Sequence, residues 1–564
     1  MKRMPFLPAL CAVVLAVSWG AYRASMPAEP SLSRYVPSGA LLYLEARDFS
    51  SLLSDWNKSD EKKTWVKSKN YDQFCNSRLL LRLKSAGEQF AAAAGVPADA
   101  NLLEQVAGKR TAFALYDIGK LEFLYVTRAS SDFANSALWQ MRSKFESRTA
   151  AGLNFYYRKD PESEREVAFA STGDYVLLAT RGDLIAGALE MIAQGQGHSI
   201  EEDAWWLRTV LSAGTPGDLR MVLNLEKIVP SPYFRSYWIP QNITEMKQYS
   251  AVISDLTRQG SEFREDRTLF RKTAAPPDAT AAKGAAAVAD LLRLAPIDSG
   301  VYEAKASPSP ESSLELLTAK ILAPHRGPAA PQEIAPQVQL GNGETGAASD
   351  FETRIDQPPV ANAGAADSPS ALQTLLTTGR VLAQLHVQRT DRDTAGVFIR
   401  IHSGVALLGE SEWDEHEVQS ALTELIRPRL TIGQLGVRWK DGSGYRVLDG
   451  LWPLGVAVRG KYLVVSDDPA TLTAMLAGLN KKTEAAPSTF FAAFHHEQER
   501  LNLLSLTKFL DRESEPSGNG ASPAFFSENI AGLSFSLKDV SSERVTIRDS
   551  ADRQLQTVVY AWGR

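Results

Sequence analysis

Cysteine is nearly absent from this chain: Cys11 and Cys75 are the only two in 564 residues. Cys11 falls inside an apolar run close to the N-terminus, which leaves Cys75 alone in everything that follows. No intramolecular disulfide and no thiolate metal site can then be assembled in the bulk of the chain. Cys75 itself, in "YDQFCNSRLLLRL", reads as a small buried apolar residue. Histidine is also scarce. His198, His325, His386, His402, His416, His495 and His496 show no His-Glu-x-x-His or His-x-His spacing, so a zinc site has no sequence support.

A surplus of charge is missing too. Sixty-one Lys and Arg against 66 Asp and Glu give a net charge of -5, spread without long single-sign blocks. Nucleic-acid binders concentrate basic residues on one face, and nothing of that kind is present. Neither a Gly-x-Ser-x-Gly elbow nor a glycine-rich loop at a strand-helix junction occurs, which removes the usual signals of a serine hydrolase and of a Rossmann or P-loop nucleotide site. Asp441-Gly442-Ser443-Gly444-Tyr445 sits between two strands and reads as a hairpin turn. No catalytic, cofactor-binding or metal-ligating residue is nominated by these patterns, and no cofactor is implied.

One apolar run stands apart from the rest. Lys2 and Arg3 precede about 17 apolar residues between Pro5 and Ala21, the layout of an export signal. As helix that run spans roughly 25 Å, at the short end of what crosses a bilayer, so residues 1–24 read as a retained membrane anchor or a cleaved signal peptide. Either way the bulk of the protein is expected outside the plasma membrane, as a single-pass anchored protein or an exported one.

At 564 residues the chain exceeds a single ordinary core, and it resembles itself. "GDYVLLATRGDLIAGAL" (173–189) matches "GKYLVVSDDPATLTAML" (460–476) without a gap, pairing Gly173 with Gly460 and Tyr175 with Tyr462. Weaker matches follow in the same order: 108–117 with 379–388, 120–131 with 395–406, 219–229 with 499–510, and 249–266 with 533–549. The opening strand and helix of "YVPSGALLYLEARDFSSLLSDW" (35–56) has a degraded counterpart at 295–322. Period-2 and 3.6-period runs mix as hairpins interrupted by helices, so the expected fold class is α+β, two related domains by internal duplication, with mainly antiparallel sheets covered on one face by helices. The expected layout is a first domain at 35–272, an Ala/Pro-rich linker at 273–294, and a second domain at 295–564. A disordered insertion is expected at about 324–370, where large apolar residues are few.

The remaining constellations read as structure. "ESEWDEHE" (410–417), with Asp414 and His416, is expected to be the acidic first turn of a helix. His495-His496 lacks a third ligand and has no equivalent in the first copy. Trp205-Trp206 is expected in a core, while "SPYFRSYWIP" (231–240) is the better interaction candidate.

The pattern that runs from the Pro37-Ser38-Gly39 turn through "ALLYLEARDFSSLLSDW", "GDYVLLATRGDLIAGAL" and "LRMVLNLEKI" resembles a group of uncharacterised bacterial envelope proteins with an N-terminal membrane segment and a domain of unknown function. The resemblance implies an exported protein and supplies no active-site residues. The leading functional expectation is a non-catalytic binding or scaffolding protein, whose partners are the plasma membrane and an envelope protein or lipid. The alternatives are a carrier for a lipid or other apolar ligand, and a hydrolase with a site built from residues distant in sequence. A carrier requires an apolar cavity lined from two sides, whereas a scaffold requires closed cores.

Overall fold

The computed structural model describes most of residues 31–322, 370–499 and 540–562; within these spans it leaves out 234–245, 275–278, 393–398, 431–437 and shorter stretches, several of them between 60 and 74. Twenty strands are defined. The first ten are β1 Leu42–Ala46, β2 Thr111–Asp117, β3 Glu122–Arg128, β4 Glu146–Ala150, β5 Leu153–Lys159, β6 Glu166–Thr172, β7 Tyr175–Ala179, β8 Leu219–Asn224, β9 Tyr249–Gln259 and β10 Glu262–Arg271. The second ten are β11 Val301–Ala306, β12 Val381–Arg392, β13 Ile399–Gly409, β14 Arg438–Asp441, β15 Arg446–Asp449, β16 Leu454–Arg459, β17 Tyr462–Ser466, β18 Phe490–His495, β19 Val540–Asp549 and β20 Arg553–Trp562.

All pairings are antiparallel. The first ten lie in the order β4-β5-β6-β7-β3-β2-β1-β8-β9-β10. The second ten lie as β14-β15-β16-β17-β13-β12-β11-β18-β19-β20, which is the same order strand for strand. The two halves meet where β10 pairs with β20, so all twenty strands form one sheet. The fold is α+β with a large antiparallel sheet.

Both faces of each half are covered, where the sequence suggested one. Along β7, Val176 and Leu178 enter one core cluster while Leu177 and Ala179 enter another. The helix Arg78–Ala94 closes the first face with Phe90 and Ala93, and the helix Gly182–Gln194 closes the second with Leu184, Ile185 and Leu189. The second half repeats this with the helices Glu415–Leu430 and Pro469–Ala477 on opposite faces of β13. Unbroken apolar runs such as "YVLLA" and "YLVVS" are what a doubly covered strand needs. None of the apolar core clusters combines residues of both halves.

The gapless match of 173–189 with 460–476 coincides with equivalent elements, β6-β7 and the following helix against β16-β17 and its helix. Gly173 and Gly460 hold the same hairpin position with φ of 51° and 55°, a left-handed conformation that glycine adopts without strain. The weaker matches are displaced. β8 corresponds to β18 at 490–495 and not to 499–510, of which only Glu499 is described. β9 and β10 correspond to β19 and β20 over 540–562, several residues beyond the 533–549 match. Strands tolerate such slips in a sequence comparison because half-exposed positions accept many side chains.

The stretch 273–294 is also corrected. Ala279–Leu292 is a helix whose Ala287, Val288 and Leu291 are buried against β11 and β12, so it belongs to the second core and is no linker. Alanine is the best helix former, and small side chains let the helix lie close to the sheet. The insertion at 324–370 lies outside the described residues, except Ser370, which caps the helix Ala371–Gly379 by accepting from Gln373 N. Residues 1–24 also lie outside them; among the described residues no helix is long and apolar enough to cross a membrane.

Candidate functional site

The described surface holds an apolar cleft of about 810 Å³. Its roof is the helix Phe49–Lys58, which directly follows β1. Asp48 caps that helix by accepting from Ser51 N at 3.0 Å, and this hydrogen bond holds the Asp48 carboxyl below its ordinary range. Phe49, Leu52, Leu53 and Trp56 follow the i, i+3, i+4, i+7 spacing that puts them on one side, so the helix is strongly amphipathic. Yet no residue of this helix is fully buried, and Trp56 is 46% exposed. Phe49 packs half-buried against the first core, and Leu52, Leu53 and Trp56 line the cleft.

The floor is the sheet near the junction of the halves. Leu219 of β8 stands opposite Leu256 of β9, and Phe263 of β10 stands opposite Tyr560 of β20, all four lining the cleft. Its polar lining is Asp55, Lys58, Ser59, Asp218 and Arg258. The Arg258 guanidinium lies 5.3 Å from the centre of the Phe263 ring and 3.8 Å from Asp55, while its backbone N–H donates to Asp218 at 2.9 Å. A volume of this size with mainly apolar walls and a few polar groups is what small-molecule sites have, roughly 300–1,000 Å³.

A second, smaller pocket of about 220 Å³ is lined by Ser31, Ser33, Tyr43, Glu45, Arg110 and Arg220 among others. Its polar groups are already engaged with one another. Glu45 accepts from Ser31, Tyr43 and Arg110, and Arg220 forms a two-point contact with Asp255 at 2.7 and 2.8 Å. This pocket is structural.

The residues weighed from the sequence are dispersed. Asp414 accepts from Glu417 N at 2.8 Å at the start of the helix Glu415–Leu430, and His416 is exposed there, as expected of an acidic helix start. Trp206 is buried edge-on against Tyr43, 5.0 Å between ring centres. His495 stacks on Tyr302, and buried His496 meets Phe494 edge-on and lies 3.9 Å from Glu543. Glu499, buried beside them, accepts from Thr390, and burial raises its carboxyl above the ordinary range. Of these groups Trp206 lines the smaller pocket, and none lines the apolar cleft. Cys75 is free and half-buried. Of the 231–240 cluster, 234–240 lies outside the described residues; Tyr233 is exposed and packs over Gly119. Gly442 to Gly444 form the β14-β15 hairpin turn. Among the described residues no group of three or more His, Cys, Asp or Glu is placed to hold a metal ion.

His386 carries a consequence for pH. Its ring on β12 is 8% exposed, and Nε2 has no hydrogen-bond partner among the described residues. Burial, aided by the Lys320 charge, holds its pKa at about 4. Unfolded, the same ring takes up its proton near 6.5, so between these values the unfolded state binds more protons and stability is lost as pH falls from about 6.5 towards 4. Unfolding in urea at pH 7 and pH 4.5 is expected to show a loss of roughly 2 kcal/mol from this group. The His386→Leu variant should lack that part of the loss; an unchanged pH dependence would disprove it.

The residues of the cleft were not nominated by the sequence. The signal available was the amphipathic stripe of 49–58, but its partner strands lie more than 150 residues downstream. No protein-family model and no curated protein matches the chain. Among solved structures, TP0453 in crystal form I is similar at 13% identity with a TM-score of 0.23, covering 44% of this chain and 82% of that chain. TP0453 in crystal form III is similar at 12% identity with the same TM-score, covering 44% and 83%. A likeness at that level carries no argument about function.

Proposed function

We propose that this protein is a non-catalytic binding protein of the bacterial cell envelope, exported or tethered through residues 1–24, that carries a lipid or other apolar ligand beneath the helix Phe49–Lys58. The observation that carries this reading is the cleft itself: an apolar wall on a helix and an apolar wall on a sheet, separated by about 810 Å³. Burying apolar surface is worth about 25 cal/mol per Å², so an acyl chain or fused ring system lying between Leu52, Trp56, Leu256 and Phe263 would be held without any directional contact. Such a site needs no charged catalytic group, in keeping with the dispersed histidines and carboxylates. The scaffolding reading draws its support from the closed cores of both halves. The cleft is our reason for putting the carrier reading first.

The test is native mass spectrometry with lipid extraction on the full chain purified from the membrane and periplasmic fractions of the producing cell. A lipid or small apolar molecule at fixed stoichiometry is the expected result. A protein that arrives empty, and stays empty when offered total lipid extract, would return scaffolding to first place.

A further inference from the structure

The strand registers of the two halves agree in detail. Leu219 stands opposite Leu256 at the start of the β8-β9 ladder, and Phe490 stands opposite Ile547 at the start of the β18-β19 ladder. At the hairpin ends, Arg258 opposite Phe263 corresponds to Asp549 opposite Gln554. The seam between β10 and β20 runs from Glu262 opposite Ala561 to Phe270 opposite Arg553, and its middle pair is Asp266 with Thr557. Those two residues hold the same place in their own hairpins, Asp266 opposite Asp255 and Thr557 opposite Thr546. Thr557 Oγ1 donates to Asp266 Oδ1 at 2.7 Å across the seam. Equivalent strands thus meet edge to edge about their own midpoint, the arrangement of a two-fold interface.

Such symmetry would create a second cleft over β18, β19 and β20. Its floor residues are Phe490, Ile547, Asp549 and Gln554, with Leu269 in the place of Tyr560. Here the side chains differ in kind. Asp549, in the place of Arg258, accepts from Arg271 at 2.7 Å, from Gln554 at 2.9 Å and from Thr489 at 3.0 Å, so a polar lattice ties down Gln554 where the first cleft has the ring of Phe263. The helix that follows β11, Pro310–Leu317, buries Leu317 in the second core beside Leu372 and Leu376, whereas no residue of the helix Phe49–Lys58 is fully buried and only Phe49 packs, half-buried, against the first core.

We infer that the two halves are pseudo-symmetric about the β10-β20 seam and that the site is used once, so that one chain takes one apolar ligand and takes it on the β8-β10 side. The inference rests on the carrier reading above. Arg258 with Phe263 on one side, and Asp549 with Gln554 at the equivalent places on the other, set which cleft accepts it.

The experiment is titration of the full chain with hexadecanoate, read as bound mass by native mass spectrometry. One equivalent is expected to bind. Trp56→Glu, at an exposed roof position, should weaken binding at least tenfold, and Ile547→Glu, on the opposite floor, should leave it within twofold. Circular dichroism melting of each variant establishes that it is folded; should Trp56→Glu melt early, Leu52→Gln replaces it. Two equivalents bound, or loss with Ile547→Glu and retention with Trp56→Glu, would overturn the single-site assignment while leaving the carrier reading intact. No binding by the unaltered chain to hexadecanoate or to total lipid extract would overturn both.

Discussion

Glu45→Ala is expected to destabilise the first half by about 3 kcal/mol, more than a typical single substitution. The Glu45 carboxylate accepts four hydrogen bonds: from Ser31 Oγ at 2.6 Å, Leu32 N at 3.2 Å, Tyr43 Oη at 2.9 Å and Arg110 Nε at 2.6 Å. The residue is 8% exposed and Tyr43 is 1% exposed, so water cannot readily replace what is lost. A donor left buried without its acceptor costs about 1–3 kcal/mol, and an ion pair broken from one side leaves its partner's charge uncompensated. Arg110, with 19% of its side chain exposed, recovers part of its hydration, which keeps the expected figure below the sum. Glu45→Gln, which preserves shape and two acceptor positions, should cost less than half as much. Urea denaturation followed by tryptophan fluorescence measures both, since Trp206 lies against Tyr43. A loss under 1 kcal/mol for the alanine variant would show that this network is dispensable.

A cost of about 3–5 kcal/mol is likewise expected for Phe169→Ala. Phe169 is fully buried at the centre of an aromatic group, with ring centres of Phe145 at 5.0 Å, Tyr156 at 5.3 Å and Trp139 at 6.3 Å. Alanine would leave a cavity that three rigid rings cannot close. The cores of the halves do not mix, so calorimetry should show two transitions, and the variant should lower only one of them. The shift expected is on the order of 10 °C for a unit of this size. Equal displacement of both transitions, or a single transition that moves as one, would mean that the seam couples the halves more strongly than their separate cores imply.

Much of this architecture can be read in the residues. Tyr175-Val176-Leu177-Leu178-Ala179 and Tyr462-Leu463-Val464-Val465-Ser466 match because each is a central strand with both faces buried, a constraint that admits few side chains. The hairpin between β2 and β3 follows from its short turn at 118–121. By contrast, β18 and β19 were misplaced by comparison of sequence alone, since half-exposed strands accept many residues and preserve only their alternation. The helix at 279–292 was hidden by its composition, as alanine serves a packed helix and a flexible linker equally well.

The candidate site shows the same division. The apolar stripe of 49–58 and its Asp48 cap are local, spaced by the 3.6-residue helical period, and so visible from the chain itself. What the stripe faces is not local. Leu219, Leu256, Phe263 and Tyr560 come together only because β8, β9, β10 and β20 are neighbours, and the last of these pairs across nearly 300 residues of intervening chain. Sequence alone therefore determined the α+β class, the repeated strand-helix pattern, and the scarcity of thiol and imidazole chemistry, because each depends on near-neighbour periodicity or simple counting. Tertiary structure decided that the two halves share one sheet, that no residue of one amphipathic helix is fully buried, and that the space beneath it is lined by Leu219, Leu256, Phe263 and Tyr560. Those outcomes depend on which distant strand edges pair, and no local pattern in this chain encodes that choice.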